Sequence, residues 1–144
     1  MNVASAESCK ELYELSAWMD TGISSKYETW KDSAKLWRTF GWFNPDTDYP
    51  AYDLGYLLRK LPPQLVRKNG GVTKRWHLHL EVWTDIVTDE PNGWVASYQS
   101  NRNDTGVYVA KGREMIEFSD TPQNAVANLA IELFKRRVLQ KENS

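Results

Sequence analysis

The sequence predicts one α+β domain, in which helices pack on one face of an antiparallel meander of three or four strands. The segment Lys74–Thr84 alternates strictly between apolar and polar side chains, a period typical of a strand with one buried face. Thr121, Pro122 and the apolar stripe after them predict a capped C-terminal helix. The chain has 144 residues, 41% of them hydrophobic, so we assign residues 1–144 to a single domain.

The N-terminal segment predicts a first helix. Ser8 and Glu11 have the spacing of a capping box. Apolar and small residues then recur at helical spacing from Ala6 to Trp18. We expect this helix to cover one face of the sheet and to end near Gly22.

Residues 24–43 are rich in aromatic side chains and fit two structures. A helix would align Trp30, Trp37 and Phe40. Alternatively, Tyr27–Trp30 and Leu36–Phe40 are short strands that form a hairpin. Bulky aromatic residues and threonines favour strands, so we predict the hairpin.

The segment Pro50–Pro62 predicts a short second helix. Four leucines recur at intervals of three and four residues; they are Leu54, Leu57, Leu58 and Leu61. Arg59 and Lys60 lie in the last turn, where the helix dipole favours cations. The two prolines that follow end the helix.

A basic run overlaps the end of this helix. Its six lysines and arginines, with no acidic residue among them, are Arg59, Lys60, Arg67, Lys68, Lys74 and Arg75. Gly70 and Gly71 interrupt it. Such a run is typical of a solvated loop; the alternative is a surface that binds phosphates or an acidic partner.

Turn signals and periodicity predict the remaining elements. Asn92-Gly93 indicates a hairpin turn, followed by a second strand at Trp94–Tyr98. Residues 101–106 indicate another turn, and the apolar residues between Val107 and Phe118 supply one further strand or two short ones. The final helix has an apolar stripe of Val126, Leu129, Ala130, Leu133 and Phe134. We expect residues 141–144 to fray.

Composition restricts the classes of function. The net charge of -1 argues against a general attraction to nucleic acid or membrane, so direct nucleic-acid binding is not favoured. The single cysteine, Cys9, cannot form an internal disulfide, and its helical position predicts a buried thiol. The sequence shows no run of about 18 apolar residues and no signal-peptide pattern, so a cytoplasmic protein without a membrane partner is expected. The oligomeric state is not predicted.

The polar face of the central strand is the main candidate site. Arg75, His77, His79 and Trp83 alternate onto it beside the basic run, and arginine with aromatic side chains on a sheet can hold a nucleotide or an acidic partner. The residues predicted to bind are Arg67, Lys68, Lys74, Arg75, His77, His79, Trp83, Trp94 and Tyr98. The alternative is that helices cover this face and Trp83 belongs to the core.

The two histidines raise the possibility of an enzyme. His77 and His79 project from the same strand face, the spacing by which two imidazoles meet one metal ion. A third ligand would have to come from a carboxylate such as Asp85, Asp104 or Glu117. The alternative function is therefore a small metal-dependent phosphoesterase, but no cofactor and no catalytic residue is predicted, because no complete ligand set or nucleophile motif occurs.

Acidic residues offer a further interpretation, mimicry of nucleic acid. The residues concerned are Asp46, Asp48, Asp53, Asp85, Asp89 and Glu90. They are spread over several predicted loops, so mimicry requires the fold to assemble them.

Three stretches carry a resemblance: CKELYELSAW (9–18), YPAYDLGYLLRKLP (49–62) and DTPQNAVANLAIELFKRRVL (120–139). Together they resemble a widespread group of small bacteriophage and prophage proteins. The resemblance implies a phage source and an accessory protein that counters host defence. FSDTPQNAVANLA is also similar to the HicB antitoxin pattern of a meander followed by a capped helix.

The expected function is that of a non-enzymatic, phage-encoded binding protein in the cytoplasm of the infected bacterium. Its partner would be a host defence protein, such as a CRISPR nuclease that it inhibits, or a signalling nucleotide that it sequesters.

Overall fold

The computed structural model describes residues 3–18, 27–30, 36–39, 48–100 and 106–141. Along the chain these ranges contain α1 (Ala6–Ser16), β1 (Tyr27–Trp30), β2 (Leu36–Thr39), β3 (Tyr49–Pro50), α2 (Leu54–Lys60), β4 (Gln64–Asn69), β5 (Val72–Thr84), β6 (Pro91–Gln99), β7 (Val109–Ala110), β8 (Arg113–Glu114), β9 (Ile116–Ser119) and α3 (Pro122–Lys135). The predicted α+β class is confirmed.

The main sheet has four antiparallel strands in the order β4-β5-β6-β9. A three-stranded sheet has the order β2-β1-β3, and β7 pairs with β8. The 13-residue strand β5 pairs with β4 along its first half and with β6 along its second. Lys74–Thr84 is therefore the central strand, as predicted, although it begins two residues earlier, at Val72.

The interpretation of the basic run as a solvated loop is wrong about the loop, although residues 66–75 are exposed. Arg59 and Lys60 belong to α2, and the other four basic residues lie on the antiparallel hairpin of β4 and β5. Gly70 and Gly71 make its turn with φ values of 58° and 87°, which glycine adopts without steric cost. β4 was not predicted because its outward side chains are charged, so that apolar and polar residues show little alternation along it.

The core lies between the sheet and α3, with α1 and α2 packed against α3. Leu129 and Leu133 of α3 are fully buried in one cluster with Trp76, Ala96 and Tyr98 of the sheet. All three helices contribute residues to this cluster. The face of the sheet that carries Trp76 packs against them and is called the core face. The opposite side is called the outer face.

α1 begins at Ala6, as predicted, but its cap differs from the prediction. The N-cap is Ser5, whose hydroxyl accepts a hydrogen bond from the Ser8 backbone N–H at 3.3 Å. Ser8 instead donates its hydroxyl to Asn128 Oδ1 on α3 at 3.1 Å. The helix ends at Ser16, before Ala17 adopts a left-handed conformation; Gly22 lies outside the described residues.

The second helix is shorter than predicted. Pro50 belongs to β3, and Asp53 caps α2 by accepting a hydrogen bond from the Tyr56 backbone N–H at 2.7 Å. Leu57 and Leu61 are buried, whereas Leu58 is exposed. Because α2 has only seven residues, only one side of it is buried. Leu58 lies outside that side and faces water.

In the aromatic segment, the hairpin prediction is confirmed. β1 and β2 pair antiparallel, and β3 adds to the other edge of β1. The predicted turn at 31–34 and Phe40 lie outside the described residues, as do residues 101–105 of the second polar turn and 142–144 of the tail.

Asn92-Gly93 is not a hairpin turn, contrary to the prediction, because both residues lie inside β6. The turn between β5 and β6 is formed by residues 85–90. Between Trp83 and Thr84 the pairing shifts by one residue, since Thr84 pairs with Pro91 but Trp83 pairs with Gly93. The extra residue is a β-bulge, which reverses the faces of the side chains beyond it.

The C-terminal helix agrees with its prediction. Thr121 accepts a hydrogen bond from the Asn124 backbone N–H at 3.2 Å, and Pro122 is the first helical residue. Every residue of the predicted stripe is buried. Val107, by contrast, forms only an isolated bridge with Gln99, and the strand expected near Val109 is the short β7.

Cys9 is buried on α1, as predicted. Its thiol lies 3.4 Å from the Ala4 carbonyl oxygen and accepts from the Tyr52 backbone N–H at 3.4 Å. Burial raises the pKa of the Cys9 thiol to about 11, from an ordinary value of 9.0. The folded protein therefore holds this proton more tightly than the unfolded chain does.

We expect this thiol to make the stability of the fold depend on pH in alkaline solution. Its contribution to the free energy of unfolding is complete below pH 9. The contribution is lost as the pH rises toward 11, because the unfolded chain releases the proton first. The two-unit difference corresponds to a loss of about 2–3 kcal/mol in the free energy of unfolding. Urea unfolding at pH 8 to 11 measures it, with Cys9→Ala as control. Parallel pH profiles for the two proteins would contradict the expectation.

Candidate partner-binding site

The candidate site is the outer face of the four-stranded sheet. Pairing of the strands places one alternating set of side chains there: Gln64, Val66 and Lys68 of β4; Thr73, Arg75, His77, His79, Glu81 and Trp83 of β5; Val95, Ser97 and Gln99 of β6; Ile116 and Phe118 of β9. Val95 and Ser97 at its centre are buried, while Val66, Trp83 and Phe118 are exposed.

An aromatic pair occupies one end of this face. Trp83 on β5 and Phe118 on β9 pack edge to face, with ring centroids 5.9 Å apart. The residue paired with Trp83 on the intervening strand is Gly93, whose lack of a side chain leaves room for the indole to extend toward β9. The two side chains remain 50% and 56% exposed, so Trp83 does not belong to the core.

The two histidines lie in the middle of the outer face, half-buried and on the same side of β5. His77 pairs with Gln64 and Gln99 on its neighbouring strands, and His79 pairs with Ser97. None of these paired residues carries a carboxylate. Across the strands the histidines therefore face neutral polar side chains that can donate or accept hydrogen bonds, while Arg75 and Glu81 flank them along β5.

The carboxylates proposed as a third metal ligand do not join the histidines. Asp85 holds a turn, accepting from the Val87 and Thr88 backbone N–H groups. Glu117 lies on the core face and forms an ion pair with Arg113 at 2.6 Å. Asp104 is outside the described residues. Across ranges 3–18, 27–30, 36–39, 48–100 and 106–141, no three potential ligands form a metal-binding group.

The four basic residues of the β4–β5 hairpin divide between the two faces. Lys68 and Arg75 point to the outer face. Arg67 and Lys74 are opposite each other in the strand pairing, and both point to the other side of the sheet. The Arg67 guanidinium lies 4.9 Å from the Tyr108 ring centroid and donates to the Val109 carbonyl oxygen at 2.9 Å. Cation–π contact and this hydrogen bond give Arg67 a role in packing.

Trp94 and Tyr98 were expected to add aromatic groups to the polar face, and this placement is wrong. Val82 pairs with Trp94 and Leu78 pairs with Tyr98, so both aromatic side chains lie on the core face. Tyr98 is fully buried and donates its hydroxyl to the Pro62 carbonyl oxygen at 2.7 Å. Burial raises the pKa of its phenol well above the ordinary value.

Sequence reasoning missed Phe118 and Val66 as residues of this face. Ile116 and Phe118 are two residues apart in β9, and this period of two was visible in the sequence. What the sequence did not show was the pairing that places Phe118 beside Val95 rather than against α3. Val66 was hidden because β4 itself was not recognised.

The acidic residues considered for mimicry are only partly assembled. Asp85, Asp89 and Glu90 share the β5–β6 turn, but Asp53 caps α2 and Asp48 is buried. Asp46 is outside the described residues. The continuous charged surface that mimicry of a nucleic acid requires is therefore not formed by the described members of this set.

Searches against protein-family profiles, curated proteins and solved structures each found no significant match for this chain. Among the described residues, none of the helices combines the length and apolar character needed to cross a bilayer.

Proposed function

We propose that this protein acts by binding a protein partner through the outer face of its sheet. The single observation that carries the proposal is the aromatic pair of Trp83 and Phe118, which is held edge to face while both rings stay about half exposed. Leaving two large aromatic side chains in water forgoes burial energy that a partner can recover.

The composition of the face supports a macromolecular partner. Tryptophan and arginine are the residues that most often dominate binding energy at protein interfaces, and Arg75 lies on the same strand face as Trp83. Lys68 and Arg75 at one end favour a partner with an acidic rim. His77 and His79 between these ends supply hydrogen-bonding groups for the middle of the interface.

The biological class that we propose is a phage-encoded counter-defence protein in the cytoplasm of the infected host, with a host immune protein such as a CRISPR nuclease as its target. The resemblance of residues 9–18, 49–62 and 120–139 to small phage proteins supports this class. A folded sheet face with exposed aromatic anchors suits an inhibitor that occupies a surface of its target.

The test compares variants of the aromatic pair in bacteria that carry an immune system. Trp83→Ala and Phe118→Ala should each weaken affinity for a captured immune protein about 30-fold, the effect of losing one interface hot spot. The readouts are phage plating efficiency and the dissociation constant. Leu58→Ala, which truncates an exposed leucine on α2, is the matched control; equal effects of all three variants would contradict the proposal.

Two further variants separate the competing functions. His77→Ala combined with His79→Ala should abolish the activity of a phosphoesterase, whereas a protein inhibitor anchored by Trp83 and Phe118 should lose less affinity than it loses in Trp83→Ala. Lys68→Ala combined with Arg75→Ala should weaken binding mainly at low salt, where surface charges are least screened. A co-purifying mass of a few hundred daltons in native mass spectrometry would instead support sequestration of a nucleotide.

A further inference from the structure

Charged residues are separated along the central strand. No acidic residue occurs between Asp53 and Glu81, and no lysine or arginine occurs between Arg75 and Arg102. The β4–β5 hairpin therefore ends in a cationic region and the β5–β6 hairpin ends in an anionic one. The 13-residue strand β5 connects the turns of the two hairpins, which places those turns about 40 Å apart along extended chain.

The anionic end, residues 85–90, is here called the acidic tip. Two backbone hydrogen bonds close its turn. The Asp85 N–H donates to the Glu90 carbonyl oxygen at 2.9 Å, and the Asp89 N–H donates to the Asp85 carbonyl oxygen at 2.8 Å. The Asp85 carboxylate also accepts from the Val87 N–H at 2.7 Å. This Asx-type arrangement orders the turn from within.

Two aliphatic side chains project from the acidic tip. Ile86 is 98% exposed and Val87 is 92% exposed. Full burial of such a side chain is worth about 1.5–3 kcal/mol, so the ordered turn holds a substantial amount of apolar surface in water. An ordered turn also loses little conformational entropy when it binds.

The cationic end, residues 66–75, is here called the basic end, and its chemistry complements the tip. Lys74 and Val72 are exposed on the side of the hairpin that carries Arg67, whereas Lys68 and Val66 are exposed on the outer face. The Arg67 hydrogen bond to the Val109 carbonyl brings another exposed valine next to the side that carries Val72. This side of the basic end therefore offers apolar surface next to cations, matching an apolar tip flanked by anions.

We propose that the acidic tip of one copy docks on the basic end of a second copy. The contact is heterologous, because the two copies use different surfaces, so it can repeat from copy to copy. Hairpin ends bury little area, and the association is accordingly weak and reversible. This proposal does not depend on the proposed function, although the basic end shares Val66, Lys68 and Arg75 with the outer face.

Sedimentation velocity of the full chain tests the contact, with increasing protein concentration at about 10 mM and about 1 M salt, where the screening lengths are about 30 and 3 Å. The sedimentation coefficient should rise with concentration at low salt and stay constant at high salt. Ile86→Ser combined with Val87→Ser should abolish the rise. A wild-type protein that remains monomeric at millimolar concentration and low salt overturns the proposal.

Charge reversal identifies the two surfaces. Asp89→Lys with Glu90→Lys gives a protein with two cationic ends, and Lys68→Glu with Lys74→Glu gives one whose basic end has no net charge, because two glutamates then offset Arg67 and Arg75. Each should be monomeric alone, since one partner of the contact has lost its charge complementarity, and an equal mixture should associate again through the unchanged basic end of the first variant and the unchanged acidic tip of the second. Circular dichroism confirms that each variant is folded. Association of either variant alone, or a mixture that stays monomeric, refutes the assigned surfaces.

Discussion

Replacing Tyr98 by alanine is expected to lower the free energy of unfolding by about 3–5 kcal/mol, the cost of deleting a large buried aromatic side chain. Tyr98 is fully buried, packs in the cluster with α3 and donates its hydroxyl to the Pro62 carbonyl oxygen. Its removal leaves both a cavity and an unpaired acceptor. Urea unfolding at neutral pH measures the effect.

Two companion variants make this result specific. Tyr98→Phe keeps the ring and loses only the hydrogen bond to Pro62, so it should cost about 0.5–1.5 kcal/mol. Trp83→Ala removes a larger side chain from the outer face of the same sheet, but its half-exposed position predicts a cost below that of Tyr98→Ala. If Trp83→Ala proved the more destabilising of the two, the assignment of core and outer faces would be wrong.

Tyr98 also shows where reasoning from the sequence stopped. Alternation within Lys74–Thr84 correctly separated Trp76 from His77 and His79, because period two is a local property of a strand. Which face a neighbouring strand presents depends on register, and register depends on turns and bulges. If the register of the Thr84–Pro91 pair continued along β6 without the bulge, Tyr98 would pair with His77. The Tyr98 side chain would then lie on the outer face.

The candidate site was predictable in part for the same reason. Arg75, His77, His79 and Trp83 belong to one strand, so a local pattern was enough to group them. Phe118 joins them only through two successive strand pairings, from β5 to β6 and from β6 to β9. The α3 helix was predicted closely because its cap, its proline and its apolar stripe are all local signals.

Gly93 lies next to the register shift, and its replacement by alanine is expected to cost about 2–6 kcal/mol of unfolding free energy. Gly93 has a φ of 143°, in a region that side chains with a Cβ rarely adopt and that costs about 1–3 kcal/mol. An added Cβ would also lie 2.9 Å from the Ser119 backbone oxygen. Because that atom belongs to the paired strand β9, relieving the contact requires movement of the sheet, a cost of about 1–3 kcal/mol.

Gly70→Ala is the matched control for Gly93→Ala. Gly70 has a φ of 58°, but an added Cβ there would meet nothing within 4 Å, so only the backbone term of about 1 kcal/mol applies. Urea unfolding of both variants therefore compares a site with a backbone cost alone to a site with a backbone cost and a steric contact. Equal losses would show that the contact with Ser119 is relieved at no cost. A loss for Gly93→Ala above the roughly 3 kcal/mol that backbone strain alone can cost would mean that the β6–β9 pairing is rigid, and with it the position of Phe118 beside Trp83.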